Sequence, residues 1–182
     1  MNTVRLRRAE PEDAELICAW RAEPSTSRYQ PMSQHDLDTQ RRILAKRHAL
    51  PVSEDVEGKL QWLILSDRIP AGWLSLDITS RQSALASVGY TVSEAFRGRH
   101  LANRGLRLLL DLAFDPGILA LERLEANVAM ENIASQRVLE ASGFRREGIA
   151  RGLLQIGAVR VDHYRYGLLR SDFPTNGEMQ AQ

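Results

Sequence analysis

Val4 and Leu6 alternate with Arg5 and Arg7 at the start of the chain, and this period of two predicts a half-buried strand over residues 3–8. The period then lengthens. Pro11 suits a first helical position because its φ is already helical, and Ala14, Ile17, Cys18 and Ala22 form one apolar face of a helix over residues 11–21, with Pro24 ending it. Residues 23–31, rich in Ser, Thr and Pro, read as a loop. Ser33 is the expected cap of a second helix reaching about residue 47, with Leu37, Ile43 and Leu44 as its apolar positions. Past a polar loop at 51–58, the runs 60–65 and 73–78 read as an antiparallel pair joined by a turn at Asp67 and Arg68.

A strand at 85–92 leads through a basic, glycine-containing turn into a Leu-rich helix at 99–114, which Asp115, Pro116 and Gly117 terminate. A strand at 121–128 and a helix at 132–142 follow, with Gly143 where a helix end wants a positive φ. Two strands, 144–153 and 159–169, close the pattern as a hairpin. The order βααβββαβαββ predicts an α+β fold with a mixed, mostly antiparallel central sheet flanked by helices. One domain is expected over residues 1–173, with a frayed polar tail at 174–182.

Composition narrows the function classes. With 182 residues, 43% hydrophobic and 26% charged, the chain suits one packed domain that buries about 70% of its unfolded surface. A formal net charge of +1 argues against a nucleic-acid-coating protein. The single Cys18 has no intrachain partner, and there is neither a signal pattern nor an apolar run of the roughly twenty residues that would span a bilayer. A cytoplasmic protein without membrane or nucleic-acid partners is the expectation. His35, His48, His100 and His163 lack ligand spacing, so no metal is expected. Trp20, Trp62 and Trp73 read as core or groove wall. Arg41, Arg42, Lys46 and Arg47 stand within about a helical turn of Asp36 and Asp38, as on a solvated helix face.

The strand-to-helix junction carries candidate chemistry. The first turn of a helix presents backbone N–H groups with no intrahelical partner, and the helix dipole adds about half a positive charge there. Arg97 and Arg99 add two cations that can pair with phosphate oxygens. A basic turn alone leaves many nucleotide ligands open.

A second segment narrows them: Leu124, Glu125, Ala126, Asn127 and Val128, then Asn132, Ser135, Arg137, Gly143 and Phe144 at their spacing. Together with the turn, these residues resemble the signature of the GNAT superfamily of acyl-CoA-dependent N-acetyltransferases. The branch most resembled is that of ribosomal-protein N-terminal alanine acetyltransferases. The match continues through Arg145, Arg146, Glu147, Gly148, Arg151, Gly157, Asp162, Tyr166, Leu168 and Leu169, and the whole resemblance covers residues 3–170.

That resemblance implies the GNAT fold and acetyl-CoA as cosubstrate. The pantetheine arm would lie between strands that splay at Tyr90, Thr91 and Val92 and at residues 125–128, with the thioester oxygen bonded to an N–H near Val92. The pyrophosphate would rest on Arg97, Gly98, Arg99, His100, Leu101 and Ala102. Asn132 would help hold the pantetheine, unless it simply caps its helix, and Arg137 and Arg104 would reach the 3′-phosphate or adenine. Glu125 would take the ammonium proton, and Ser135 would protonate or bind the departing thiolate. Tyr29 would border the acceptor groove, while Asp162 and Tyr166 fit the branch pattern or a structural role in the last strand. The acceptor would attack directly in a ternary complex, without Cys18. It would be a protein N-terminal α-amine or a small amine.

The sequence departs from the family at two places: His100 stands where the middle glycine of the turn is expected, and Leu139 where many members carry a tyrosine acid. They motivate one alternative, an acyl-CoA-binding module without turnover. The C-terminal strand, read as a sheet edge, makes a homodimer a candidate assembly.

Overall fold

The computed structural model describes residues 3–31 and 35–174. Its strands are β1 (Val4–Arg8), β2 (Gly58–Ser66), β3 (Ile69–Ser80), β4 (Leu85–Val92), β5 (Arg123–Ala129), β6 (Arg145–Ile156) and β7 (Val159–Leu169). They form one seven-stranded sheet in the order β1-β2-β3-β4-β5-β7-β6. All neighbours are antiparallel except β4 and β5.

Alternation along the strands sends successive side chains to opposite faces, and each face has its own helices. On one face α4 (Leu101–Phe114) and α5 (Ile133–Ala141) cover Trp62, Ile64, Leu74, Ala126, Val128 and Tyr166. Leu101, Gly105, Leu106, Leu109, Leu110, Ala113 and Phe114 are the buried stripe of α4, spaced as an amphipathic helix requires. A Cβ on Gly105 would stand 3.3 Å from the side chains of Ile64 and Leu74, so the glycine lets α4 lie close to the sheet. On the other face α1 (Ala14–Ala22) and α3 (Leu37–His48) pack Ile17, Trp20 and Leu44 against Leu63 and Trp73. Trp20 and Trp73 stack with ring centres 6.0 Å apart. Arg8 closes the far end of α3: its guanidinium lies over Trp62 and donates to the carbonyls of Arg47, at 2.6 Å, and Leu50.

Four expectations change. Pro24 does follow the end of α1, but residues 23–31 are not all loop, because Pro24 also opens a one-turn helix, α2 (Pro24–Ser27), after an extended Glu23. The cap of α3 is Asp36, which accepts from the Thr39 N–H at 2.7 Å; Ser33 lies outside the described residues. The C-terminal strand is not an edge, since β7 runs between β5 and β6 and the edges are β1 and β6. On α3, Arg41 pairs with Asp38 in solvent, but Arg47 turns inward and donates to the side-chain amide oxygen of Gln61 on β2. The tail beyond Pro174 also lies outside the described residues.

Candidate active site

β4 and β5 pair over three positions only, Leu85 with Arg123, Ala86 with Leu124 and Ser87 with Glu125. Beyond them the strands part. β4 stays on β3 as far as Val92, opposite Gly72, and β5 stays on β7 as far as Ala129, opposite His163. The gap is therefore lined by two strands, each held from behind, whose facing peptide groups have no strand partner and are open to a ligand. A Cβ on Gly72 would collide with the Thr91 carbonyl and the Val92 Cα, so glycine is what lets β3 hold β4 at this point.

The mouth of the gap is the basic turn. After a 3₁₀ turn at Glu94–Phe96 the chain passes Gly98, at φ 73°, and His100, at φ 56° and ψ 23°, which is the N-cap residue of α4. The position where a glycine was expected is thus left-handed, and histidine there costs on the order of 1 kcal/mol. The His100 side chain makes no cap bond, so the N–H groups of the first turn of α4 open toward the gap. Arg97 Nε donates to the Val92 carbonyl at 3.2 Å. Arg99 donates to the Ala95 carbonyl and lies 5.1 Å from the Phe96 ring centre.

The inner end is neutral. Tyr90 shares the face of Leu74, and its hydroxyl reaches α5, 2.8 Å from Ser135 Oγ and 3.1 Å from the Ser135 carbonyl oxygen. Burial pushes the Tyr90 phenol well above its ordinary range, against the opposing effect of its bond to Ser135. Asn132 caps α5, its Oδ1 accepting from the Ser135 N–H at 3.2 Å. Leu139 is fully buried in the core one turn further on.

These parts line one cleft of about 370 Å3. It gathers Tyr29, Tyr90, Thr91, Val92, Arg97, Gly98, Arg99, His100, Leu101, Ala102, Asn132 and Ser135. Gln30, beside Tyr29, also lines it, and so do Ser25 and Thr26 of the α2 corner, which were not anticipated. That corner is clasped to the turn. Glu23 accepts from the Glu94 N–H at 3.0 Å, while the Glu94 carboxylate accepts from the Ser25 hydroxyl and, at 3.3 Å, from the Ser25 N–H. Ser25 holds the Glu94 carboxyl below its usual range, and burial raises that of Glu23.

Three expected residues lie apart from this cleft lining. Glu125 sits at the closed end of the gap, on the face away from α4 and α5, since Leu124 and Ala126 on either side of it are buried in their core. Its side chain is 44% exposed and accepts from Arg123 Nε at 3.0 Å. Arg123 also grips Glu147 through both terminal nitrogens, at 2.9 and 2.5 Å, which holds the Glu147 carboxyl below its usual range. Arg137 is exposed on α5. Arg104 lines a second cavity of about 590 Å3 between α4, the end of α5 and the segment at Phe173. Asp162 accepts from the Gly152 N–H at 2.6 Å and Tyr166 donates to Glu140 at 2.9 Å, both structural contacts. Among the described residues there is no group of three His, Cys, Asp or Glu side chains that could hold a metal, and no helix is long and apolar enough to cross a membrane.

Known proteins carry the same architecture. Residues 3–145 match the family model described as an acetyltransferase (GNAT) domain. The chain is 40% identical over 87 residues to the probable N-acetyltransferase YjcK of Bacillus subtilis, a match covering 48% of this chain and 47% of that protein. Mycobacterium smegmatis RimJ, solved with CoA-disulfide, superposes with a TM-score of 0.79 at 25% identity, over 94% of this chain and 84% of that one. The Vibrio cholerae spermidine N-acetyltransferase solved with CoA and spermine shares the fold, with a TM-score of 0.81 at 19% identity over 93% and 96% of the two chains. By its match to the family model over most of its length, the chain belongs to the GNAT family of acetyltransferases and is an N-acetyltransferase of that type.

Proposed function

We propose that acetyl-CoA occupies the β4–β5 gap and that a primary amine attacks its thioester directly in a ternary complex. The observation that carries this reading is the parting of β4 and β5 beyond Ser87 and Glu125, with the N-terminus of α4 at its mouth. The fit is specific to the parts of the donor. Two open strand edges suit the amides of a pantetheine arm, and Arg97, Arg99 and the open N–H groups of α4 suit a pyrophosphate. An N–H near Val92 receives the thioester oxygen as charge develops on it.

An amine attacks only when neutral, and the thiolate leaves more readily when it is protonated or hydrogen-bonded. Glu125, at the closed end of the gap, draws off the ammonium proton through water. Ser135, inside the cleft, supplies the proton to sulfur in place of the tyrosine that Leu139 replaces. Arg137 and Arg104 stand outside the gap, beside the end where the 3′-phosphate and adenine would project. The acceptor is a protein N-terminal α-amine, a reading supported by the residues shared with the ribosomal-protein branch between Phe144 and Leu169. Tyr29 and the α2 corner form its wall.

Free-thiol release from acetyl-CoA, followed with alanine-initiated peptides, spermidine and amino-acid amides as acceptors, tests this. Release with peptides above the others supports the proposed acceptor, whereas release with spermidine alone replaces it. CoA binding without release on any amine would support a binding module instead.

A further inference from the structure

We propose that Tyr90 is a positioning residue for the departing thiolate, acting through Ser135 by setting the direction of its hydroxyl proton. This rests on the reading of Ser135 as proton donor and adds a second residue to it.

The side chain of Tyr90 spans from β4 to α5 and meets Ser135 at two atoms, Oγ at 2.8 Å and the carbonyl oxygen at 3.1 Å. A phenol has one proton to donate, so two arrangements are available. If it goes to the carbonyl, the phenol oxygen accepts from Ser135 Oγ, and the serine proton is committed to Tyr90. If it goes to Oγ, the serine proton is free to point into the cleft. The second arrangement can serve the sulfur. Val138 and Leu139, the next turn of α5, bring no polar side chain to this place.

Burial keeps the Tyr90 phenol protonated across the working pH range, so it remains a hydrogen-bond donor to Oγ. When the tetrahedral adduct collapses, the C–S bond breaks with its electron pair on sulfur. Ser135 Oγ passes its proton to sulfur as it takes one up, through water, from the acylated nitrogen, so no serine alkoxide forms beside the Tyr90 phenol, whose hydrogen bond keeps Oγ in place. Tyr90 keeps its own proton throughout, and the products are the amide and the CoA thiol.

A strut that merely held α5 against β4 would give the same distances, so the test is a double-mutant cycle. Tyr90→Phe keeps the ring and removes only the hydroxyl. With acetyl-CoA and an alanine-initiated peptide, Tyr90→Phe should lower kcat about tenfold while leaving KM for acetyl-CoA within about twofold. Adding it to Ser135→Ala should cost nothing further, whereas Ser135→Thr should retain both the rate and the sensitivity to Tyr90→Phe. Wild-type kcat in Tyr90→Phe, or the same tenfold loss on top of Ser135→Ala, overturns the proposal. If Ser135→Ala itself is as fast as wild type, the reading of Ser135 falls and takes this one with it. A readout that needs no acceptor is the ultraviolet thiolate band of bound CoA, referenced to bound desulfo-CoA. Hydrogen bonding favours the charged form, so thiolate should appear at lower pH on the wild type than on either variant. Coincident titrations would contradict the proposal.

Discussion

The two ends of the cleft are built on opposite principles. At the mouth, the groups proposed to hold the pyrophosphate are mostly fixed in place and positive: a left-handed turn, the first N–H groups of α4, and two arginine side chains on an exposed loop. At the inner end there is no formal charge among Tyr90, Ser135 and Asn132, and the groups proposed to act on sulfur are two hydroxyls held by strand and helix. The contrast suits the role proposed for each end. A pyrophosphate keeps its charge through the reaction, so fixed positive groups bind ground state and transition state alike. Sulfur gains charge only as its bond to carbon breaks, so a neutral donor placed there acts mainly on the transition state.

The difference gives a way to separate binding from chemistry. The largest effect is expected at the inner end, where Ser135→Ala should lower kcat by about a hundredfold with CoA affinity within about twofold of wild type. A variant that lost affinity instead would merge the two ends. Glu125→Gln should come next, cutting the rate at neutral pH about tenfold or more and changing the acidic limb of the pH-rate profile. An unchanged profile would remove Glu125 from the mechanism and leave its carboxylate a partner of Arg123. At the mouth, Arg97→Ala should weaken CoA binding about tenfold, with kcat at saturation nearly unchanged. The smallest change tests the turn itself. His100→Gly relieves a left-handed side chain, and thermal unfolding should show a gain of up to about 1 kcal/mol with CoA affinity preserved. A loss of affinity would instead make the imidazole a phosphate donor.

The mouth was far more legible in the sequence than the inner end, and the reason is range. The strand, Gly98, the two arginines and the Leu-rich helix are contiguous, so local patterning located them, and the resemblance explained why His100 is unusual. The Tyr90–Ser135 contact joins residues 45 apart, and the Glu23–Glu94 clasp residues 71 apart. Neither leaves a periodic trace. Each exists because β4 and α5, or α1 and the turn, end where they do in three dimensions. The gap itself was expected only by resemblance, since the apolar patterns of 85–92 and 121–128 describe two strands and not how far they pair. The misread helix ends have a local cause. Ser33 and Asp36 are both competent cap residues three positions apart, and sequence alone does not choose between them; Asp36 accepts from the Thr39 N–H. Pro24 carries two signals at once, breaking one helix and opening the next.

Isothermal titration of CoA into wild-type protein and the Arg97→Ala and Ser135→Ala variants tests the central claim most directly. The claim predicts micromolar binding that Arg97→Ala weakens about tenfold and Ser135→Ala leaves in place. Absence of binding to the wild type, or equal affinity in Arg97→Ala, would contradict the placement of acetyl-CoA in the β4–β5 gap with its pyrophosphate on this turn.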